Sequence, residues 1–230
     1  MSNRVLIVNA DDYGASKAIN EGIVDAHARG IVTSTSLMVT GDSADHAVAL
    51  AREHPALGIG LHWDLDAPTP GPKVELNDAD AVQTELARQL EVFHDLAGRP
   101  PSHVDSHHHV HRDPVVGPVA RELVAPLGVP LREDGRVRFV GGFYGQWEHG
   151  VTDLHHISPE FLIWILRNEV GEGWTELGCH PGHVRGDFTS IYSHEREVEL
   201  RTLTDPGVRE EIVALGIRLA SYAELDREAS

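Results

Sequence analysis

From Val5 to Ala220, short apolar runs rich in β-branched residues alternate with stretches whose apolar side chains recur every three to four residues. The first kind reads as strand and the second as amphipathic helix. Such an alternation, kept up along a chain, calls for a parallel sheet, because each helix must return the chain across the sheet before the next strand starts. Strands are expected at Val5–Val8, Ile31–Val39, Leu57–Asp64, His103–His111, Val129–Arg132, Arg138–Val140, Thr175–Cys179 and Ile217–Ala220. Ser16 is placed to cap a helix carrying Ile19, Ile23 and Ala26 and ended by Gly30, and Asp42 to cap one carrying Ala44, Val48 and Ala51. Further helices are expected over Asp78–Ala97, over Pro114–Leu123, after Ser158-Pro159-Glu160, and from Asp205-Pro206 to Leu215. About seven such units in 230 residues suit a seven-stranded or distorted (β/α) barrel, closed or nearly so, better than a long open sheet. No linker interrupts residues 1–230, so one domain is expected. Residues 143–157 show no usable period, and the proline-rich 65–77 reads as a long functional loop.

Composition excludes several partners. A net charge of −17, with lysines and arginines scattered, argues against nucleic acid. No apolar run approaches the length of a membrane span and no leader is apparent, so a cytoplasmic protein is expected. The single cysteine, Cys179, cannot form an internal disulfide, which agrees with that compartment. The sixteen histidines are the anomaly, because several of them cluster beside carboxylates.

The chemistry gathers where strands pass into helices, the face on which barrels assemble their sites. Asp11, Asp12, His62, His107, Arg132 and His180 all fall there. Adjacent ionised carboxylates such as Asp11 and Asp12 repel each other unless a positive charge sits beside them. A metal ion would supply it; a capping Asp followed by a turn Asp is the plainer alternative. On a strand, Asp105, His107 and His109 would share one face. Asp and His from separate strands with an open position describe a catalytic metal site, suited to Zn²⁺ or another first-row dication, with Mg²⁺ also open. Such an ion lowers the pKa of bound water and polarises a carbonyl, as amide or ester hydrolysis requires. One aspartate would then bind the metal and the other take the proton. The hydroxyls of Thr33-Ser34-Thr35-Ser36 could hydrogen-bond a substrate or those carboxylates, or could simply reflect the β-propensity of Thr. Gly58-Ile59-Gly60 lacks the third glycine of a dinucleotide fingerprint.

Taken together, Asn9-Ala10-Asp11-Asp12-Tyr13-Gly14, Gly30 through Met38, Gly60-Leu61-His62, His103 through His111 and Glu176 through Gly182 resemble the YdjC-like carbohydrate deacetylases, the family that includes chito-oligosaccharide deacetylase. The resemblance spans nearly the whole chain, including Arg196-Glu197 and Gly216-Ile217. It implies a (β/α) barrel related to polysaccharide deacetylases, one divalent metal ion per chain, and removal of acetyl groups from a small N-acetylated carbohydrate. Carried over, it makes Asp12, His62 and His107 the metal ligands, Asp11 the general base and His180 the general acid, donating as an imidazolium, with Arg132 orienting Asp11. His109 is the alternative third ligand, since period-two alternation cannot separate it from His107. Asp105 could fix the tautomer of a ligating imidazole. Surface or substrate-rim roles are expected of His108, His111 and His183, and Cys179 should be a small core residue. A homodimer is left open. Two other readings stand beside this one. A metal-dependent sugar isomerase or epimerase usually needs more carboxylate ligands and a lysine near the metal, and no lysine adjoins a motif here. A non-enzymatic metal-binding protein would account for the histidines but not for Arg132 or the Asp11-Asp12 pair.

Overall fold

The computed structural model describes residues 3–66 and 74–228; most of the 65–77 loop lies outside them. Seven parallel strands alternate with helices: β1 (Arg4–Tyr13), α1 (Lys17–Arg29), β2 (Ser34–Leu37), α2 (Ala44–Glu53), β3 (Gly58–Trp63), α3 (Ala79–Ala97), β4 (Val104–Ser106), α4 (Val116–Val124), β5 (Arg138–Val140), α5 (Pro159–Asn168), β6 (Gly173–Cys179), α6 (His194–Leu203), α7 (Pro206–Ala214), β7 (Arg218–Leu219) and α8 (Tyr222–Glu228). The sheet runs β4-β3-β2-β1-β6-β5, and β7 pairs with β1. β1 is the central strand and is buried almost throughout. One of its edges is shared, β7 accompanying Val5–Leu6 and β2 accompanying Asn9–Tyr13, while β6 follows the other edge from Arg4 to Ala10. Apolar residues on the helix-covered face of the sheet, including Leu6, Val8, Ile23, Leu61, Phe93, Val104 and Leu177, form the main core. Ile7 on the other face packs in a small separate cluster with Val137 and Tyr222. No helix among the described residues is long and apolar enough to cross a membrane.

Several local signals act as expected. The Ser16 hydroxyl accepts from the Ile19 N–H, Asp78 caps α3, and Gly98 ends it at φ 68°, a left-handed conformation open to glycine. Asp42 does not cap α2; Ser43 occupies that position, without a side-chain cap. The Ile31–Val39 strand shortens to Ser34–Leu37, because Ile31 and Val32 are spent on backbone bonds to Leu203 and Ala26. The expected strand His103–His111 stops at Ser106 and turns into a 3₁₀ segment, His107–Arg112. The Ser106 hydroxyl accepts from the His111 N–H at 3.0 Å and contacts His111 Nδ1 at 2.6 Å, curling the chain back on itself. Asp105, His107 and His109 therefore do not share a strand face.

Val129–Arg132 is not a strand but a one-residue bridge, Leu131 to Val104. Among the described residues no backbone pair joins Leu131 to β5, so the sheet curls into an open barrel rather than a closed one. The gap is crossed by side chains: Arg132, next to Leu131, ion-pairs with Glu176 on β6 and lies over the Phe139 ring of β5 at 4.8 Å, and Arg112 and the His109 ring reach the same phenylalanine. Residues 143–157, unread in the sequence, hold the 3₁₀ turn Leu154–Ile157 and an isolated bridge, Glu148 to Val151. Helices α6 and α8 were not expected.

Candidate active site

The site is built on a fault in β1. In an unbroken strand Asp11 and Asp12 would point to opposite faces. Instead the pairing of β1 with β2 shifts register between Ala10 and Tyr13, and Asp12 takes φ 67°. A left-handed non-glycine residue costs free energy and persists only where its surroundings hold it. Here Met38 N–H donates to the Tyr13 carbonyl at 2.7 Å, the Gly14 N–H donates to Asn20 Oδ1, and the Tyr13 hydroxyl reaches the Ala47 carbonyl. The bulge brings both carboxylates to the same group of side chains around His62.

Asp12, His62 and His107 converge. Asp12 Oδ1 lies 3.5 Å from His62 Nε2 and 3.2 Å from His107 Nδ1. His62 is the last but one residue of β3, and His107 opens the 3₁₀ segment after β4. The other nitrogen of His62 contacts Asp105 Oδ1 at 2.7 Å, which turns Nε2 toward Asp12. Asp105 is itself anchored by the Ser36 hydroxyl at 2.6 Å and Arg132 at 2.8 Å. Burial works against a charged His62, but Asp105 and Asp11 outweigh it and hold its pKa well above the ordinary value. Burial likewise opposes ionised Asp12, yet Arg196, His107 and His62 hold its carboxyl well below the usual range. The buried carboxylates Asp11, Asp12, Asp105 and Glu176 outnumber Arg132 and Arg196, so the pocket favours added positive charge. With one oxygen and two imidazole nitrogens facing inward, these residues fit a divalent metal of the zinc type, which would displace the extra proton on His62.

Beside this group Arg132 grips Asp11 with two bonds, Nη1 to Oδ2 at 2.8 Å and Nη2 to Oδ1 at 2.7 Å. The same guanidinium donates to Glu176 Oε1, whose partner oxygen accepts from Tyr222. Burial pushes Asp11 upward, and Arg132 more than offsets it, leaving the carboxyl below its ordinary value and ionised. His180 follows β6 and sets Nε2 4.0 Å from Asp11 Oδ2, against the stacked rings of Tyr144 and Tyr192.

His180 departs from expectation. Burial lowers its pKa to about 4, so the imidazole is neutral near pH 7 rather than an imidazolium. Its Nδ1 is buried without a hydrogen-bond partner, with Glu199 Oε1 4.0 Å away. Glu199 accepts from the His180 N–H and the Tyr192 hydroxyl. Burial nevertheless pushes its carboxyl up to about 8. Burial thus favours the neutral form of both groups, the imidazole of His180 and the carboxylic acid of Glu199 behind it.

A family model described as YdjC-like protein matches residues 5–214. The chain belongs to the YdjC-like family. It is 34% identical to a protein of Serratia marcescens named chitooligosaccharide deacetylase, the match covering 96% of this chain and 99% of that one. Among solved structures, a protein of Enterococcus faecalis V583 described in terms of cellobiose-phosphate cleavage is 30% identical. It superimposes with a TM-score of 0.85 over 97% of this chain and 99% of that one. A structure described as T48 deacetylase with substrate, 16% identical over 98% of this chain and 92% of that one at a TM-score of 0.61, shares the fold.

The YdjC-like site does not gather every histidine named from the sequence. His109 lies apart from Asp12 and His62, in a separate group with His111 and Glu133, where Arg112 already donates to Glu133 at 2.6 Å. His111 is buried rather than on the rim, while His108 pairs with Asp66 and His183 with Asp25 nearer the surface. Cys179 is fully buried in the core. Of the Thr33–Ser36 hydroxyls only Ser36 reaches a carboxylate; Thr33 and Thr35 bond the backbone of β1, and Ser34 accepts from the Tyr222 N–H. Sequence reading gave no role to Asn9, Glu176, Arg196 or Glu199. The available signal for the last two was the Arg196/Glu199 spacing of three, which places both on one helix face together with Leu200 and Leu203.

Proposed function

We propose that this protein is a metal-dependent carbohydrate deacetylase that removes acetyl groups from N-acetylated sugars or oligosaccharides. The observation that carries the reading is a single constellation: Asp12, His62 and His107 converging beside a second carboxylate, Asp11, which no ligand role requires and which Arg132 clamps. The name of the Serratia marcescens relative supports the same class of substrate. Asp12, His62 and His107 would hold one divalent ion, Zn²⁺ or Mg²⁺, the two imidazoles favouring Zn²⁺. When bound, that ion supplies Lewis acidity for the acetyl carbonyl and for a water molecule.

The chain's own residues do the proton work. Asp11, ionised and fixed by Arg132, accepts the proton of the attacking water. His180 Nε2 faces the same space from the end of β6 and donates to the departing amine nitrogen. Being neutral, it can give up its Nε2 proton only as Nδ1 takes one, and Glu199 behind it, 4.0 Å away, must close to hydrogen-bond distance to supply it. Tyr144 and Tyr192 wall this side of the site, their rings against the imidazole. An isomerase is disfavoured because no lysine among the described residues stands beside these groups, and glycosidic cleavage would need two carboxyl groups set apart across a sugar bond rather than adjacent on one strand. A small carbohydrate as partner and a cytoplasmic setting, in keeping with the lone cysteine, belong to the same reading.

The test is acetate release from a panel of N-acetylated mono- and oligosaccharides, with a chelator and with metal restored. Activity should vanish on chelation and return with a divalent metal, while His62→Ala and His107→Ala lose bound metal in elemental analysis. Undiminished activity in metal-free protein would overturn the reading.

A further inference from the structure

Arg196 belongs to a motif noted in the sequence, yet the reaction above gives it nothing to do. Its side chain is buried, 5% exposed, and reaches from α6 into the bulge of β1. Nη2 donates to Asp12 Oδ2 at 2.6 Å, Nε to the Tyr192 carbonyl at 3.0 Å and Nη1 to the His180 carbonyl at 3.4 Å. The two oxygens of Asp12 are thereby divided. Oδ2 is held by the guanidinium, and Oδ1 alone faces His62 and His107.

We propose that Arg196 is a positioning residue that withholds Oδ2 of Asp12, so that this ligand offers a metal one oxygen instead of two. The proposal rests on the metal-site reading above. A carboxylate with both oxygens free can chelate a dication and fill a position that water or the acetyl carbonyl would otherwise take. A guanidinium on one oxygen prevents that. It also places a fixed positive charge next to the site, which opposes a second cation and leaves a bound ion more electron-poor. Arginine suits the task better than lysine, because its planar fork serves Asp12 and two carbonyls at once.

A purely structural tie between α6 and β1 makes the opposite prediction, since loosening Asp12 would weaken metal binding. The deciding experiment is titration of the metal-free protein with Co²⁺, following its visible absorption, for the unaltered chain, Arg196→Met and Arg196→Lys. Charge decides the direction: removing a cation from beside a dication site outweighs the lost orientation of one ligand. Arg196→Met should therefore bind Co²⁺ more tightly, by about 10-fold, the scale of removing one unit charge several ångströms from a dication in a high-dielectric setting. Its spectrum should change and its kcat on an N-acetylated sugar fall. Co²⁺ also supplies the positive charge that Asp12 loses in this variant, which favours the folded, loaded form. Arg196→Lys keeps the charge without the fork, so its affinity should stay close to that of the unaltered protein while its spectrum shifts in the same direction. Unchanged or weaker binding by Arg196→Met, or an unaltered spectrum in both variants, would overturn the proposal. Failure of the unaltered protein to bind Co²⁺ would overturn the metal-site reading itself.

Discussion

The two halves of the site are held in different ways. On the side of β1, β3 and β4 the carboxylates are held by several partners each, although Asn9 Oδ1 is buried without one: Asp105 joins His62, Ser36 and Arg132, and Asp11 takes both prongs of the guanidinium. On the side of β6 and α6, His180 Nδ1 is buried with no partner, its side chain is 26% exposed, and the neighbouring Glu199 is protonated near neutral pH. A satisfied polar network fixes geometry, which suits groups that must converge on an ion. A group that must receive and release protons needs slack, and His180 has it.

Breaking the first half should have the larger effect. Arg132→Met removes the cation shared by Asp11, Asp105 and Glu176 and leaves buried carboxylates uncompensated. A loss of about 3–5 kcal/mol is expected, seen as a lowered urea midpoint. Rates come next. Asp11→Asn should keep its metal in elemental analysis yet lose about 10²-fold or more in kcat, the scale of general acid–base catalysis. His180→Ala should lose about as much on an N-acetyl substrate but less on an O-acetyl ester, whose alcohol needs a proton less than an amine does. Equal losses on both would mean that His180 holds the substrate or stabilises charge instead.

The last test sharpens the contrast through pH. Glu199 moves from an ordinary 4.5 to about 8, so the folded protein keeps a proton that the unfolded chain releases. Its contribution to stability is complete below about 4.5 and is lost as pH rises through about 8. Asp12 and Asp105 act in reverse, because their lowered values give stability that is present above the ordinary carboxylate range and lost as pH falls below it. Glu199→Gln should flatten the decline of denaturation midpoint between about pH 5 and pH 8 and leave the acid limb alone. An unchanged slope would mean that Glu199 is ionised in the folded protein.

What the sequence made legible follows the same division. The strand–helix alternation, the Asp11-Asp12 pair and the histidines at strand ends were readable because period and residue type carry them. The choice between His107 and His109 was not, since it depends on where β4 stops, and the Ser106 hydroxyl decides that through a contact five residues ahead. Nor could alternation explain how neighbouring aspartates face one group, which took a left-handed Asp12. Helix α6 stayed hidden because Glu195, Arg196 and Glu199 are buried charges on the face a core-facing helix would give to apolar residues. Arg132 was found although its expected strand is a single bridge, because its position after an apolar run mattered more than the length of that run.

The opening between Leu131 and β5 gives this wall an unusual weakness. Between the named strands neighbours are stitched by backbone amides, which must break together; at this seam the contacts are made by side chains, Arg132 to Glu176 and the Arg132, Arg112 and His109 groups against Phe139. β5 is three residues long and has β6 as its sheet partner. Breathing there does not require the rest of the sheet to melt, so the amides of Phe139 and Val140 should exchange with solvent deuterium well before those of β1.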